Sequence, residues 1–121
     1  MKLPKVVKIR GHKYQIHHCP PEKSPKSIRK ELVERSGSNS FVAGFTKNSS
    51  GLIYVNSQQG DRAKLTTLFH EIIHTLDYNY CMGELLRGHG KSEEMVIDSL
   101  AYAFLEFLEG NPEIWKLLKK R

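Results

Sequence analysis

Leu68-Phe69-His70-Glu71-Ile72-Ile73-His74 is the stretch around which this 121-residue chain is organised, and it carries the pattern His-Glu-x-x-His. Residues four apart on a helix project from the same side one turn apart, so both imidazoles can reach one metal ion. Glu71 follows the first histidine, where it can activate water without being a ligand itself. The pattern predicts a metal-binding helix that its apolar neighbours hold in place.

The third ligand is sought downstream, because a catalytic zinc site needs three protein ligands and one open position. Glu94 and Asp98 are four apart on a predicted helix, so both can face the His-Glu-x-x-His helix. The alternative for these acidic residues is that they form the solvated start of their helix. The alternative for the His-Glu-x-x-His segment is an ordinary amphipathic helix that carries two histidines. The other candidate ligands after the second histidine are Cys81, Glu84, His89 and Glu93.

The spacing of these residues resembles that of the gluzincin metallopeptidases, in which His-Glu-x-x-His is followed by Glu-x-x-x-Asp, here 20 residues after the second histidine. The order of elements over roughly residues 40–108 is also similar to the small ImmA/IrrE-like peptidases of phages and prophages. The resemblance implies that Zn²⁺ is held by His70, His74 and Glu94. It further implies that Asp98 orients the first histidine. Glu93 stands where the gluzincin pattern usually has Asn, which leaves a shift of the third ligand to Glu93 open.

The activity implied by the resemblance is that of a zinc endopeptidase acting on a protein or peptide substrate. Glu71 is expected to act as general base, taking a proton from water and passing it to the leaving amine. Tyr102 lies four residues after Asp98 and is a candidate oxyanion donor, although most tyrosines of small domains are packing residues. Asp77, three residues after His74, is equally consistent with supporting the site and with simple exposure.

The predicted strand Leu52–Asn56 is a candidate substrate-binding element. If this strand lies at a sheet edge, Tyr54 and Val55 pair with an extended peptide through backbone hydrogen bonds. A core strand is nearly as consistent with its apolar composition.

The remaining pattern predicts one α+β domain over residues 1–121, in which a small antiparallel or mixed sheet packs on a zincin-type helix bundle. We expect a hairpin over 5–18 that turns near Gly11 and a second strand pair over 41–46 and 52–56. The His-Glu-x-x-His helix is predicted over 62–79 with Asp61 as its cap, and residues 80–91 connect it to the next helix.

The other predicted helices are defined by caps and apolar spacing. Ser24-Pro25 is expected to start one that runs through Ile28, Leu32 and Val33 and stops at Ser36-Gly37. Ser92 is expected to cap another, which ends at Gly110, and a last short helix is expected to start at 111–113. The apolar set expected on the Ser92 helix is Val96, Leu100, Ala103, Phe104, Phe107 and Leu108.

The composition supports an alternative function. A net charge of +6 and a pI near 9.4 favour acidic partners, so the chain is also consistent with a nucleic-acid-associated module that carries a structural zinc site, or with a protease acting on DNA-bound proteins. Without a stretch of 18 apolar residues or a signal peptide, we expect a cytoplasmic protein with reduced Cys19 and Cys81. His17-His18 is expected on a strand surface.

Overall fold

The computed structural model describes residues 1–36, 41–80, 93–110 and 112, and within these ranges the protein is α+β. Three α-helices accompany a four-stranded mixed sheet, and none of the described helices is long and apolar enough to span a membrane. The strands are β1 (Val6–Ile9), β2 (His12–Cys19), β3 (Gly44–Lys47) and β4 (Leu52–Asn56), and the helices are α1 (Lys26–Ser36), α2 (Asp61–Tyr80) and α3 (Glu93–Gly110).

The sheet has the strand order β1-β2-β4-β3, which confirms both predicted strand pairs. The β1–β2 and β3–β4 pairs are antiparallel, whereas β2 and β4 are parallel. Arg10 and Gly11 join β1 to β2 with positive φ angles of 50° and 81°, as the tightest hairpin turns require. The Arg10 guanidinium donates to the carbonyl of Asn79 at 2.6 Å, which ties the turn to the last residues of α2.

The position of β4 inside the sheet corrects the expected substrate strand. Tyr54 and Val55 are fully buried, and the Tyr54 hydroxyl donates to the Cys19 carbonyl at 3.0 Å. Because β4 is paired on both sides, its backbone has no free edge to offer a peptide. The assignment of these two residues to substrate binding is therefore wrong, and the edges of the described sheet are β1 and β3.

The two faces of the sheet bury different helices, because side chains alternate along each strand. Ile53 and Val55 pack with Leu68 of α2 on one face. Tyr54 and Phe45 pack with α1 on the other face. Of the three apolar residues expected on this helix, α1 buries Ile28 and Leu32, whereas Val33 is 69% exposed. Val33 follows Leu32 by one residue, which on a helix is a rotation of about 100° away from the sheet.

The helix α3 packs on α2 through Ile97 and Ala101, and Leu105, one turn further on, is also buried. The predicted apolar face therefore lies one position away from the real one. Of that predicted set, Ala103 and Phe104 are exposed, Val96, Leu100 and Leu108 are partly buried, and the side chain of Phe107 lies outside the described residues. Apolar residues occur on more than one side of α3, so apolar content alone selected the wrong stripe.

Two predicted helix caps are also corrected. The Ser24 hydroxyl donates to the Pro21 carbonyl at 2.6 Å and closes a short 3-10 turn, so it does not cap α1. Asp61 is the first residue of α2 rather than its cap, and the carbonyl of Gly60 accepts the Lys64 N–H at 2.9 Å. The connector over 81–91, the Ser92 cap and the last helix lie outside the described residues, apart from residue 112.

Candidate metal centre

His70 and His74 lie one turn apart on α2, as the motif predicts. Their Nε2 atoms are 3.2 Å apart, and the side chains are 15% and 24% exposed. Leu68 and Ile73 are buried on the same helix, the first against the sheet and the second against α3. Packing on two sides therefore fixes the rotation of α2 and turns both imidazoles toward one point.

Glu94 of α3 reaches both imidazoles. Its Oε1 lies 2.9 Å from Nε2 of His74, and its Oε2 lies 3.0 Å from Nε2 of His70. These three side chains offer ligand atoms that all lie within 4.8 Å of one another, so the group can hold a metal ion. Glu94 occupies the predicted third position, whereas Cys81, His89 and the side chain of Glu93 lie outside the described residues.

Asp98 contacts the far side of the first imidazole. Its Oδ1 lies 2.6 Å from Nδ1 of His70. A carboxylate at this distance can accept a proton from Nδ1, and in the neutral ring that tautomer leaves the lone pair on Nε2, which faces Glu94 and His74. Asp98 is therefore placed where the sequence predicts, behind the ring rather than among the three converging groups.

Glu71 is a buried carboxylate beside the two histidines, with only 6% of the residue exposed. Its Oε1 accepts a hydrogen bond from the Thr46 hydroxyl at 2.7 Å, and its Oε2 lies 3.9 Å from Nε2 of His70. Burial raises the pKa of Glu71 above its ordinary value, while the Thr46 bond and the charges of His70 and His74 oppose that rise. A raised pKa brings a carboxylate closer to the range in which it can both take and return a proton.

A small cavity of about 180 Å³ opens beside Glu71 and is lined mostly by short side chains from β3 and α2. Gly44 allows this close approach, because a Cβ there would lie 2.5 Å from the Tyr54 carbonyl and 2.7 Å from Cγ2 of Thr67. Gly44 and Thr46 were missed from the sequence, although a glycine inside a strand pattern is a known signal of close backbone packing. The cavity is lined by Ala43, Gly44, Thr66, Thr67, His70, Glu71 and Asp98.

Tyr102 is exposed on α3 and contacts a residue of α2. Its ring lies 5.7 Å from the guanidinium carbon of Arg62, a residue two turns before His70 on α2. Eight residues of helix separate Tyr102 from Glu94, a distance of about 12 Å along the axis. In the described part of the chain, no contact of Tyr102 with the three converging groups bears on its expected role, so its assignment as oxyanion donor stays a prediction.

The other polar candidates are not among the three converging groups. Asp77 is partly buried on α2, one turn beyond His74, and its supporting role stays a prediction. His17 and His18 are half-buried in β2, and burial together with the nearby Lys64 lowers the pKa of His18. In the part of the chain that the structure describes, no His, Cys, Asp or Glu outside the His70, His74 and Glu94 group forms a comparable ligand set.

No protein-family model, curated protein or solved structure matches this chain. The likeness to gluzincins therefore rests on the motif, its spacing and the side-chain geometry described above. The nucleic-acid alternative rests on the net charge of +6 and stays a prediction.

Proposed function

We propose that this protein is a zinc-dependent endopeptidase of the gluzincin type, similar to the small ImmA/IrrE-like enzymes. The observation that carries the proposal is the bidentate approach of Glu94 to the Nε2 atoms of His70 and His74. Two neighbouring helices thus supply three converging donors, and a buried fourth group, Glu71, lies beside them without joining them. This is the division between ligands and general base that hydrolysis needs.

The donor set fits zinc. Two imidazole nitrogens and one carboxylate oxygen form the ligand set of many catalytic zinc sites. In a tetrahedral site with bonds of about 2.0 Å, neighbouring donors are about 3.3 Å apart. The two Nε2 atoms here are 3.2 Å apart, close to that value, and each lies near a different oxygen of Glu94. Oε1 is 2.9 Å from Nε2 of His74, and Oε2 is 3.0 Å from Nε2 of His70. When bound, zinc lowers the pKa of water and polarises the scissile carbonyl.

The protein side chains divide the remaining work. Oε2 of Glu71 faces the histidines and takes the proton of the attacking water, then returns it to the leaving amine. Asp98 holds the Nδ1 proton of His70, which keeps Nε2 free of a proton and aimed at the centre. The buried position of Glu71 makes proton uptake easier, because burial disfavours its charged form.

The proposed substrate is an extended peptide that pairs with β3. In the described sheet β3 is an edge strand, and its first residue, Gly44, lines the cavity beside Glu71. An extended chain added to such an edge gains backbone hydrogen bonds and directs alternate side chains toward the sheet face. A cavity of about 180 Å³ accommodates one side chain of moderate size.

The test starts with the protein purified without added metal. We expect about one zinc per chain by elemental analysis, and cleavage of unfolded proteins or of a peptide library. Glu71→Gln should retain the zinc and lose about 10²–10⁴-fold in kcat/KM, the usual contribution of a general base. Glu94→Ala should lose or weaken zinc binding.

Two results would contradict the proposal. One is cleavage by Glu71→Gln at the native rate, which would point to a contaminating protease. The other is a protein that binds no zinc even after reconstitution.

A further inference from the structure

Glu71 is held by a residue that the helical motif does not contain. The Thr46 hydroxyl on β3 donates to Oε1 of Glu71 at 2.7 Å, and it also lies 3.4 Å from the backbone carbonyl of the same residue. A buried carboxylate is stable only when hydrogen-bonded, since it has lost its contact with water. Thr46 thus provides a hydrogen bond to a group that the protein buries at a cost.

The two oxygens of the Glu71 carboxylate have different surroundings. Oε1 is bound by the Thr46 hydroxyl, whereas Oε2 lies 3.9 Å from Nε2 of His70. The last torsion of a glutamate side chain is soft and has no strongly preferred angle. A single directional bond to Oε1 therefore decides which way the carboxylate plane points, and it leaves Oε2 directed toward the histidines.

The backbone and the side chain of Thr46 are both restricted in position. It pairs with Ile53 of β4 in the antiparallel register, and its branched side chain has restricted rotation. Gly44 precedes it by two residues, so the two residues share one face of the strand. A Cβ at Gly44 would meet Cγ of Glu71 at 3.6 Å, which shows how closely this face of β3 approaches the carboxylate side chain. The hydroxyl is thus presented from a paired strand at short range.

We propose that Thr46 is a positioning residue for Glu71, fixing the carboxylate by its Oε1 so that Oε2 receives the proton of the attacking water. This inference rests on the proposed hydrolytic function of the site. It adds a residue of the edge strand β3 to the site residues predicted from the sequence motif, all of which lie on helices. It also connects the strand proposed to bind the peptide with the group proposed to act on it.

Kinetics of Thr46→Val and Thr46→Ser test the proposal. Valine keeps the shape and removes the hydroxyl, whereas serine keeps the hydroxyl. We expect Thr46→Val to lower kcat about 10- to 100-fold, less than the loss of the base itself, with KM changed less than about twofold. Thr46→Ser should return to within about threefold of the native kcat, and all three proteins should bind zinc equally.

Thr75→Val is the matched control. Thr75 is a buried threonine of α2, and its hydroxyl donates to the Ile72 carbonyl at 2.6 Å rather than to Glu71. The same atoms are removed, so a loss of kcat common to both valine variants would reflect packing and overturn the positioning role. Native kcat in Thr46→Val, or a Thr46→Ser variant as slow as Thr46→Val, would overturn it as well.

A crystal structure of Thr46→Val beside the native protein provides a readout that needs no activity. We expect the Glu71 carboxylate to rotate away from its native plane or to occupy more than one rotamer. An unchanged carboxylate would overturn the positioning role. If the native protein cleaves no peptide but the carboxylate moves in the variant, the hydrolytic proposal fails while the hold of Thr46 on Glu71 stands.

Discussion

The two helices that build the candidate metal centre are held in different ways. On α2, the side chains of His70 and His74 are 15% and 24% exposed, and the helix packs on the sheet and on α3. On α3, the side chains of Glu94 and Asp98 are 64% and 67% exposed. Within the described residues α3 rests chiefly on α2, through a stripe centred on Ile97.

This difference indicates that half of the site is organised before any metal binds. The imidazoles of α2 have lost most of their freedom to the core, so little further entropy is spent when they bind an ion. The two carboxylate side chains of α3 are exposed, and their contacts with the histidines are what orders them. Such exposed pairs contribute only about 0–1 kcal/mol, so this order is weakly held. Binding of a metal to Glu94 should therefore also stabilise the packing of α3 on α2.

The largest expected effect comes from removing a ligand of the buried half. His70→Ala should weaken zinc binding by more than about 100-fold, beyond the 10- to 100-fold typical of a residue that only supports a ligand. A competition titration with a chromophoric chelator measures this. His17→Ala, a histidine of β2 outside the site, should bind zinc as the native protein does. A zinc affinity of His70→Ala within tenfold of native would contradict this difference between the helices, because the buried ligand of α2 would then contribute little to zinc binding.

A smaller effect is expected from the exposed half. Asp98→Asn keeps the shape but weakens the acceptor at Nδ1 of His70, so zinc affinity should fall about 10- to 100-fold. Glu106→Gln is the control, since Glu106 is an exposed carboxylate of the same helix, two turns further on. Equal affinities for the two variants, measured by the same titration, would show that Asp98 is a surface charge and does not orient the imidazole.

The smallest effect concerns the stability of the metal-free protein. Burial raises the folded-state pKa of Glu71, so its charged form is penalised on folding. That penalty develops as the pH rises from the unfolded pKa through the raised folded pKa, and it is constant above both. Glu71→Gln removes it and should add about 0.5–2 kcal/mol to the free energy of unfolding near neutral pH.

The measurement is urea unfolding in the presence of a chelator, at pH values from about 4, near the ordinary glutamate pKa, to about 8. The advantage of Glu71→Gln should shrink toward the acid end, where Glu71 is protonated in both states. A variant that is less stable at every pH would show that the contacts of the carboxylate outweigh its burial.

Much of the site was predictable because its residues lie on two helices at regular intervals. His70, Glu71 and His74 need only the helical repeat, and Glu94 with Asp98 needs the same repeat on α3. The Gly11 hairpin and the β3–β4 pair were likewise readable from local alternation and turn residues. In each case the information lies within about 15 consecutive residues, and the structure agrees with it.

The errors arose where the answer depended on distant parts of the chain. The strand that carries Tyr54 and Val55 was considered as a sheet edge, and local sequence could not decide this. Its position inside the sheet depends on its pairing with β2, over 30 residues away in sequence. Phe104 belongs to the apolar set expected on α3 but is exposed, because each helix buries only the side that meets its neighbour.

The sequence by itself determined that His70 and His74 share one side of α2 and that Glu94 and Asp98 share one side of α3, since the backbone geometry of a helix sets the spacing of side chains on one face. Only the tertiary structure decided that β4 is internal, that β3 is an edge, and that Thr46 holds Glu71. The last contact joins residues 25 positions apart on a strand and a helix. No repeat within either element encodes such a contact, because it depends on how closely Gly44 lets the sheet approach α2.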